Sequence, residues 1–569
     1  MSAAPAVRDR VEALRSRPSA DVLIIGGGIN GVGTFRDLAL QGVDVALVER
    51  EDYCSGASGA SSHMIHGGIR YLENGEFRLV KESVVERNNL LKIAPHYVKP
   101  LQTTIPIFST FSGILNAPIR FLTHKSGKPQ ERGAALIKMG LSIYDSFSRL
   151  GGTVPKHEFL GAEESRALFP QMRSDVRYTA TYFDASVHNP ERLTLDVLHD
   201  GLDAHEGVRA SNYVSAVGMT DAGVRLRDEI SGEEFDFSAK IVLNVSGAWT
   251  DQTNGALDDA TRFMGGTKGS HIVLDHPELL AATHGREIFF EHTDGRIVLI
   301  YPMGDRVLVG TTDLDDDMSA QAVCTDEEIQ YFFDLIGHVF PSIEVKREQI
   351  VYTFSGVRPL PRHDETAPGF VSRDYRFERR EQNGATVLSV VGGKWTTFRA
   401  LSEHLANEVL GMLGKKREVS TLGRTIGGGK GFPESEAGER AWIQARVDDH
   451  IDAERYGILL ERYGVRADAV AAYLREGEDR LIGGSPELST RELRFLVERE
   501  QVEHVADVLI RRTSLAFRGA AAGDLFEEIV RAFADVKGWG PEELEAEREH
   551  ARSVFADRHR IDLATGELS

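Results

Sequence analysis

At 569 residues the chain is long enough for two to four domains. Its 66 Lys and Arg against 87 Asp and Glu leave a formal charge of −21, which argues against general nucleic-acid binding. The two cysteines, Cys54 and Cys324, fit a reducing compartment and are too few for a zinc site, so no metal is expected. No apolar run approaches the length of a membrane-spanning helix. The arginines from Arg8 to Arg17 are interspersed with Asp9 and Glu12, and the expected element is a surface helix; a transit peptide is the weaker alternative.

The first elements form one unit. Asp21–Ile25 is an apolar run suited to a buried parallel strand, an amphipathic helix follows from Ile29 to Leu40, and Val43–Val48 starts a second strand closed by Glu49. Between them lies G-x-G-x-x-G at Gly26, Gly28 and Gly31. Gly26 permits the tight turn, Gly28 lets a pyrophosphate approach the backbone, and Gly31 lets helix and strand pack closely. The amides opening the helix, at Ile29 and Asn30, then face the phosphates. Glu49, followed by Arg50, lies 23 residues beyond Gly26, where a carboxylate accepts from a ribose diol. A dinucleotide site is expected.

Ser55–Ser62 are all small, which lets the backbone pass close to a bulky ligand, and Ser61 and Ser62 can cap a helix or bond a phosphate. His66, Arg70 and Tyr71 then place a base, a cation and a phenol within six residues. Alone, each reads as core or as an ion pair, such as Arg70 with Glu73; beside a dinucleotide loop they mark a site.

Residues 99–149 change character. Leu101 to Ile119 carries no charge but includes Phe108, Phe111, Ile114 and Leu115, and Pro106, Gly113 and Pro118 argue against a spanning helix. Across 99–149, seven Lys and Arg face two acids, Glu131 and Asp145. An apolar segment with a cationic flank is expected to lie on an anionic membrane surface; plain core is the alternative.

Short strands return from Tyr178 to Val245, with Val214 placed at the cofactor, and KIVLNVSGAW ends in Ser246, Gly247 and Trp249 like a second cofactor-side strand. Met264–Glu344 reads as a strand-rich insertion whose KGSHIVL carries Lys268 and His271. Arg358 follows in FSGVRPLPR and Arg373 in VSRDY. LSVVGGKWTTFRALSEHLANEVL is again strand, glycine turn and helix, with Gly393, Lys394, Thr396 and Thr397 at the helix opening. Beyond Gly427-Gly428-Gly429 the period is 3.6, and a separate helical domain is expected.

IGGGINGVG, SSHMIHGGIRYLE, SGVRPL and GGKWTTFRALSEH together resemble the FAD-dependent, quinone-linked glycerol-3-phosphate dehydrogenases of the D-amino-acid-oxidase-like flavoproteins. The similarity spans about residues 20–410 and continues faintly through ELRFLVEREQ and IRRTSLAF. Phe398 and Phe35 depart from the family's usual Tyr and small residue, which concerns packing more than chemistry. The resemblance implies an α/β fold: a Rossmann-like FAD domain (18–98, 177–255, 350–415), a β-rich substrate domain roofing it (99–176, 256–349) and a C-terminal α-helical domain (430–569).

It also implies oxidation of sn-glycerol 3-phosphate to dihydroxyacetone phosphate by hydride transfer to FAD, with electrons passed to membrane quinone from the cytoplasmic face. His66 is the expected base, with Arg358 or a water as alternatives. Arg70, Tyr71, Arg358 and Arg373 are expected on the phosphate, with Lys268 and His271 as weaker candidates. Lys394, Thr396 and Thr397 face the charge on reduced flavin. An oxidase using O2 and a flavin-binding protein without turnover stay open as alternatives, as do a homodimer, the role of the tail and covalent attachment of FAD.

Overall fold

The computed structural model describes residues 9–68, 77–108, 137–138, 141, 144–145, 155–292, 296–315, 318, 320–362 and 374–569. The expected first unit forms as strand Ser19–Ile25, helix Ile29–Leu40 and strand Val45–Val48. Ser19–Ile25 pairs in parallel with Val45–Val48 on one side and Glu234–Asn244 on the other. Arg209–Ser211 and Ala385–Gly392 extend this parallel sheet outward, and Tyr375–Gln382 closes one edge antiparallel. Val22 to Ile25 and Val45 to Val48 are buried, as a parallel sheet covered on both faces requires.

Two glycines settle how the covering helices accept large side chains. A Cβ on Gly33 would meet Ser402 Oγ at 2.5 Å and the Phe398 ring at 3.0 Å, so helix Ile29–Leu40 lies close on helix Phe398–Met412. A Cβ on Gly201 would meet the Phe35 ring at 2.7 Å, so helix Pro190–Leu202 leaves a notch for that ring. Both aromatic departures are thus packed core residues.

The second sheet is the roof. It runs from Leu314–Asp315 through Thr267–Leu274, Arg306–Gly310, Ile297–Met303, Glu287–Glu291, Val98–Ile107 and Tyr178–Val187 to Met64–Ile65; Ile350–Arg358 also pairs with Thr267–Leu274, and Glu158–Gly161 with Tyr178–Val187. Here the expected boundaries need correction. Met64–Ile65, Tyr178–Val187 and Ile350–Arg358 belong to the roof, not the FAD domain. Tyr178–Val187, for example, bonds along its whole length to Val98–Ile107.

The first part of the uncharged stretch is corrected too. Val98–Ile107 is an interior strand, antiparallel to Tyr178–Val187 and parallel to Glu287–Glu291. Leu101, Thr103, Thr104 and Ile107 are buried. A strand with neighbours on both edges and cover on its faces excludes charge, so core packing explains residues 101–107. Phe108 packs at the edge of a roof cluster, with the Arg173 guanidinium 4.2 Å from its ring. Residues 109–136 of the membrane-surface expectation lie outside the described residues.

The tail is helical, as its period predicts. In Gly523–Lys537 the buried Phe526, Ile529, Val530 and Phe533 repeat at helical spacing, and Gly538 ends the helix at φ +71°. This apolar face is continuous with Tyr301, Tyr352 and Phe354 on the inner face of the roof. A buried ionic seam holds the tail to the FAD domain: Arg512 on Asp52 at 2.7 Å, Arg511 on Asp52 at 2.6 Å, and Arg192 on Glu500. Among the described residues no helix is long and apolar enough to cross a membrane.

Candidate active site

A cleft of about 480 Å³ lies at the carboxyl ends of Ser19–Ile25, Val45–Val48 and Glu234–Asn244, the place where such sheets bind ligands. Gly26, Gly28, Ile29, Asn30, Glu49, Arg50, Val214, Ser246, Gly247 and Trp249 line it. Gly26 has φ +118°, and a Cβ there would lie 2.6 Å from Val245 O. A Cβ on Gly31 would lie 1.9 Å from the Gly26 carbonyl oxygen. Both glycines are demanded by the fold itself. Gly28 differs: the nearest atom to a Cβ there is Ser58 Oγ, at 3.0 Å. Its space belongs to the cleft.

Glu49 is oriented by two amides, Gly27 N–H at 2.6 Å and Glu51 N–H at 3.0 Å. Burial raises its pKa above the usual carboxylate value, against those hydrogen bonds. The Arg50 guanidinium stands 5.2 Å from the Trp249 ring. Asn30 Oδ1 is buried with no partner among the described residues. A glycine cradle, a helix start without a side-chain cap at Gly28, an acid at the second strand and an unpartnered amide oxygen all fit an FAD dinucleotide.

Ser61 and Ser62 stand apart from the residues that line this cleft and bond within the protein. Ser61 Oγ accepts from His63 N–H at 3.3 Å, and Ser62 Oγ bonds His271 Nε2 at 2.8 Å. Ser58, which the sequence did not single out, faces the cleft and accepts from Ile29 N–H at 2.9 Å. Arg558 was also missed. It comes from the end of the chain, pairs with Glu51 at 2.7 Å, and lines the same cleft.

The candidate wall that carries Arg358 and His271 is built by two roof strands. Thr267–Leu274 opposes Ile350–Arg358 with Thr267 across from Arg358 and His271 across from Phe354. Each site side chain lies over a glycine: a Cβ on Gly269 would meet Arg358 Nη2 at 2.2 Å, and one on Gly310 would meet His271 Cδ2 at 2.2 Å. Arg358 donates to Thr311 Oγ1 at 2.9 Å, Thr312 O at 2.8 Å and Asp313 at 3.1 Å. His271 stacks on Phe354 with ring centroids 4.7 Å apart, and its Nδ1 has no partner among the described residues. Burial first, then Arg358 and His63, hold its pKa well below 6.5, so the ring is neutral.

Lys268 does not join this wall. Strand alternation turns it to the opposite face, where it pairs with buried Glu328 at 3.0 Å and donates to Val323 O at 2.9 Å.

His66 lies on the segment that crosses from the cleft to the roof, and its carbonyl accepts from Thr396 Oγ1 at 3.3 Å. Gly392 and Gly393, at φ +83° and +98°, turn the chain into Lys394, whose ammonium donates to Ser83 Oγ. The Trp395 indole donates to Ser58 O at 3.0 Å, and the Thr397 hydroxyl is buried without a partner among the described residues. Arg70, Tyr71 and Arg373 lie outside the described residues. No cluster of metal-binding side chains occurs among the described residues.

The fold and cleft are those of an FAD-dependent oxidoreductase: residues 21–405 match the family model "FAD dependent oxidoreductase". Residues 389–544 match the "C-terminal domain of alpha-glycerophosphate oxidase". The glycerol-3-phosphate dehydrogenase of Synechocystis sp. is 33% identical over 553 residues, covering 92% of this chain and 94% of that one. The D-erythritol 1-phosphate dehydrogenase of Brucella abortus is 31% identical, covering 87% and 94%. The solved glycerol-3-phosphate dehydrogenase of Bacillus halodurans, complexed with FAD, shares the fold at TM-score 0.75 and 22% identity, covering 97% of this chain and 98% of that one. The chain therefore belongs to the FAD-dependent glycerol-3-phosphate dehydrogenase family, is an enzyme, and takes FAD as its cofactor.

Proposed function

We propose that the enzyme oxidises sn-glycerol 3-phosphate at C2 to dihydroxyacetone phosphate and passes the electrons to a membrane quinone. The observation that carries this reading is the placement of Arg358 and neutral His271 on two paired roof strands, each laid over a glycine. An arginine fork suits a phosphate, and a neutral imidazole with an unpartnered nitrogen suits a hydrogen bond to the alcohol oxygen. FAD, held along Gly26, Gly28, Asn30 and Glu49, would supply the hydride acceptor for the C2 hydrogen.

The chain supplies the rest. Arg358, with Arg70, Tyr71 and Arg373, neutralises the phosphate. His66 takes the hydroxyl proton, and the unpartnered Nδ1 of His271 holds the C2 oxygen. Lys394, Thr396 and Thr397 at the start of helix Phe398–Met412 answer negative charge that builds on the cofactor side.

Anaerobic mixing tests the substrate. Glycerol 3-phosphate should bleach the bound flavin faster than erythritol 1-phosphate, the substrate class in the name of the Brucella relative. The reverse order would reassign the enzyme to longer polyol phosphates. Hydrogen peroxide formed in air in proportion to turnover would replace the quinone by O2. Placement on the inner membrane face is supported by the basic run Arg120, Lys125, Lys128 and Arg132 in an acidic chain. Co-sedimentation with anionic vesicles at low salt tests it, and a Lys125→Glu, Lys128→Glu variant that pellets equally well would remove that support.

A further inference from the structure

Beneath the His66 segment lies a buried polar cluster that the chemistry above does not use. Asp184, on strand Tyr178–Val187, and Arg87, on helix Phe77–Ile93, pair at 2.9 Å with both side chains fully buried. Tyr144 donates to the same Asp184 oxygen at 2.5 Å and accepts from Arg87 at 2.8 Å. The fourth member is a backbone group: Gly67 N–H donates to Asp184 Oδ1 at 2.9 Å.

That N–H shares a peptide group with the His66 carbonyl, which accepts from Thr396 Oγ1 on its other edge. One planar peptide is therefore gripped from both sides, by the roof through Asp184 and by the FAD domain through Thr396. The grip is close: a Cβ on Gly67 would meet Tyr144 Oη at 2.1 Å and Val84 Cγ2 at 2.8 Å. Only glycine lets the chain pass here. Fixing this plane fixes the position of the His66 Cα, the point from which the side chain leaves the backbone, and narrows the directions open to it.

A buried ion pair is poor value as a stabiliser, because desolvation offsets most of its attraction. Its retention needs another reason, and the hydrogen bond to Gly67 provides one. We propose that Asp184, held by Arg87 and Tyr144, is a positioning residue that sets the orientation of His66 toward the substrate. The proposal rests on His66 acting in the site. It adds that the aim of His66 comes from the roof, through a carboxylate that never touches substrate.

Four variants test it, with three readouts: flavin occupancy, thermal midpoint, and anaerobic flavin reduction by glycerol 3-phosphate as limiting rate and half-saturation. Tyr144→Phe removes one donor and leaves the ion pair, so it should fold, hold FAD fully, and lose about 10-fold in limiting rate with little change in half-saturation. Asp184→Asn should lose on the order of 100-fold where it folds. Glu492→Gln, which breaks the buried pair with Arg455 in the helical domain, should lower the thermal midpoint and leave the rate unchanged. His66→Gln separates the two readings: a normal rate there means His66 has no role in the site. A slow His66→Gln beside a normal Tyr144→Phe overturns the positioning claim. So does a rate loss in Tyr144→Phe matched by Glu492→Gln, which would mark a general stability effect.

Discussion

In the cofactor cleft, the glycine cradle and Glu49 lie close together in sequence, on a strand, a turn, a helix and a second strand that follow in order, and Val214, Ser246, Gly247, Trp249 and Arg558 join them from afar. On the roof wall, His271 bonds a serine 209 positions earlier, and Arg358 is held by residues 45 to 47 positions away. The cleft is made by turn chemistry, where a glycine is required because a Cβ has nowhere to go. The wall is made by register between distant strands, where a glycine is required because a particular side chain must lie flat over it. Local steric demands can be inferred from spacing; which face of a distant strand turns inward cannot.

The largest effects should separate two kinds of glycine within the loop. Gly26→Val and Gly31→Val should prevent folding of the first unit, because both place Cβ inside backbone atoms. Gly28→Val meets only a movable serine hydroxyl, so it should fold, keep its far-ultraviolet circular dichroism and elute without FAD. Full flavin occupancy in Gly28→Val would show that this loop is not the pyrophosphate cradle.

Next in size, Arg358→Ala should cost about 2–4 kcal/mol in kcat/KM for glycerol 3-phosphate. Much less should be lost on glycerol, which has no phosphate. Equal losses on both would break the phosphate assignment. Lys268→Met sharpens the same wall from its other face. It should destabilise by about 1–3 kcal/mol, by leaving Glu328 short of a cation, with KM unchanged. A raised KM would bring Lys268 back into the site.

How far the sequence carried depends on which of the two constructions a residue belongs to. Gly26, Gly28, Gly31 and Glu49 were readable because strand, turn, helix and acid follow at fixed spacing. In the run Ser55–Ser62 smallness was readable, but not which serine faces the cleft; packing turned Ser58 toward Ile29 and Ser62 toward His271. KGSHIVL shows by alternation that Lys268 and His271 point oppositely, yet only pairing with Ile350–Arg358 reveals that His271 stacks on Phe354. Arg558 and Asp184 had no signal, since their partners lie 507 and 117 residues away. The uncharged stretch from Leu101 reads as a membrane face ahead of core, and the two sheet neighbours of Val98–Ile107 reverse that order for its first part.

A further predicted effect is a pH dependence of stability that rests on four buried histidines. Burial holds His63, His188, His199 and His559 at a pKa of about 4, down from 6.5. The native state keeps them neutral while the unfolded chain takes up protons below about 6.5, so their contribution is complete above that pH and is lost as pH falls toward 4. Each loses at most about 1.4 kcal/mol per pH unit in that window. The thermal midpoint should therefore fall by several degrees between about pH 7 and about pH 5.5. A flat midpoint over that range would mean that these histidines are not held neutral.

The most direct test of the whole account is anaerobic titration of the FAD-loaded enzyme with glycerol 3-phosphate, followed by flavin absorbance and by product analysis. Cleft and wall acting together predict complete bleaching with one dihydroxyacetone phosphate formed per flavin, and negligible bleaching by glycerol at the same concentration. An unchanged flavin spectrum, or equal bleaching by glycerol, would contradict it.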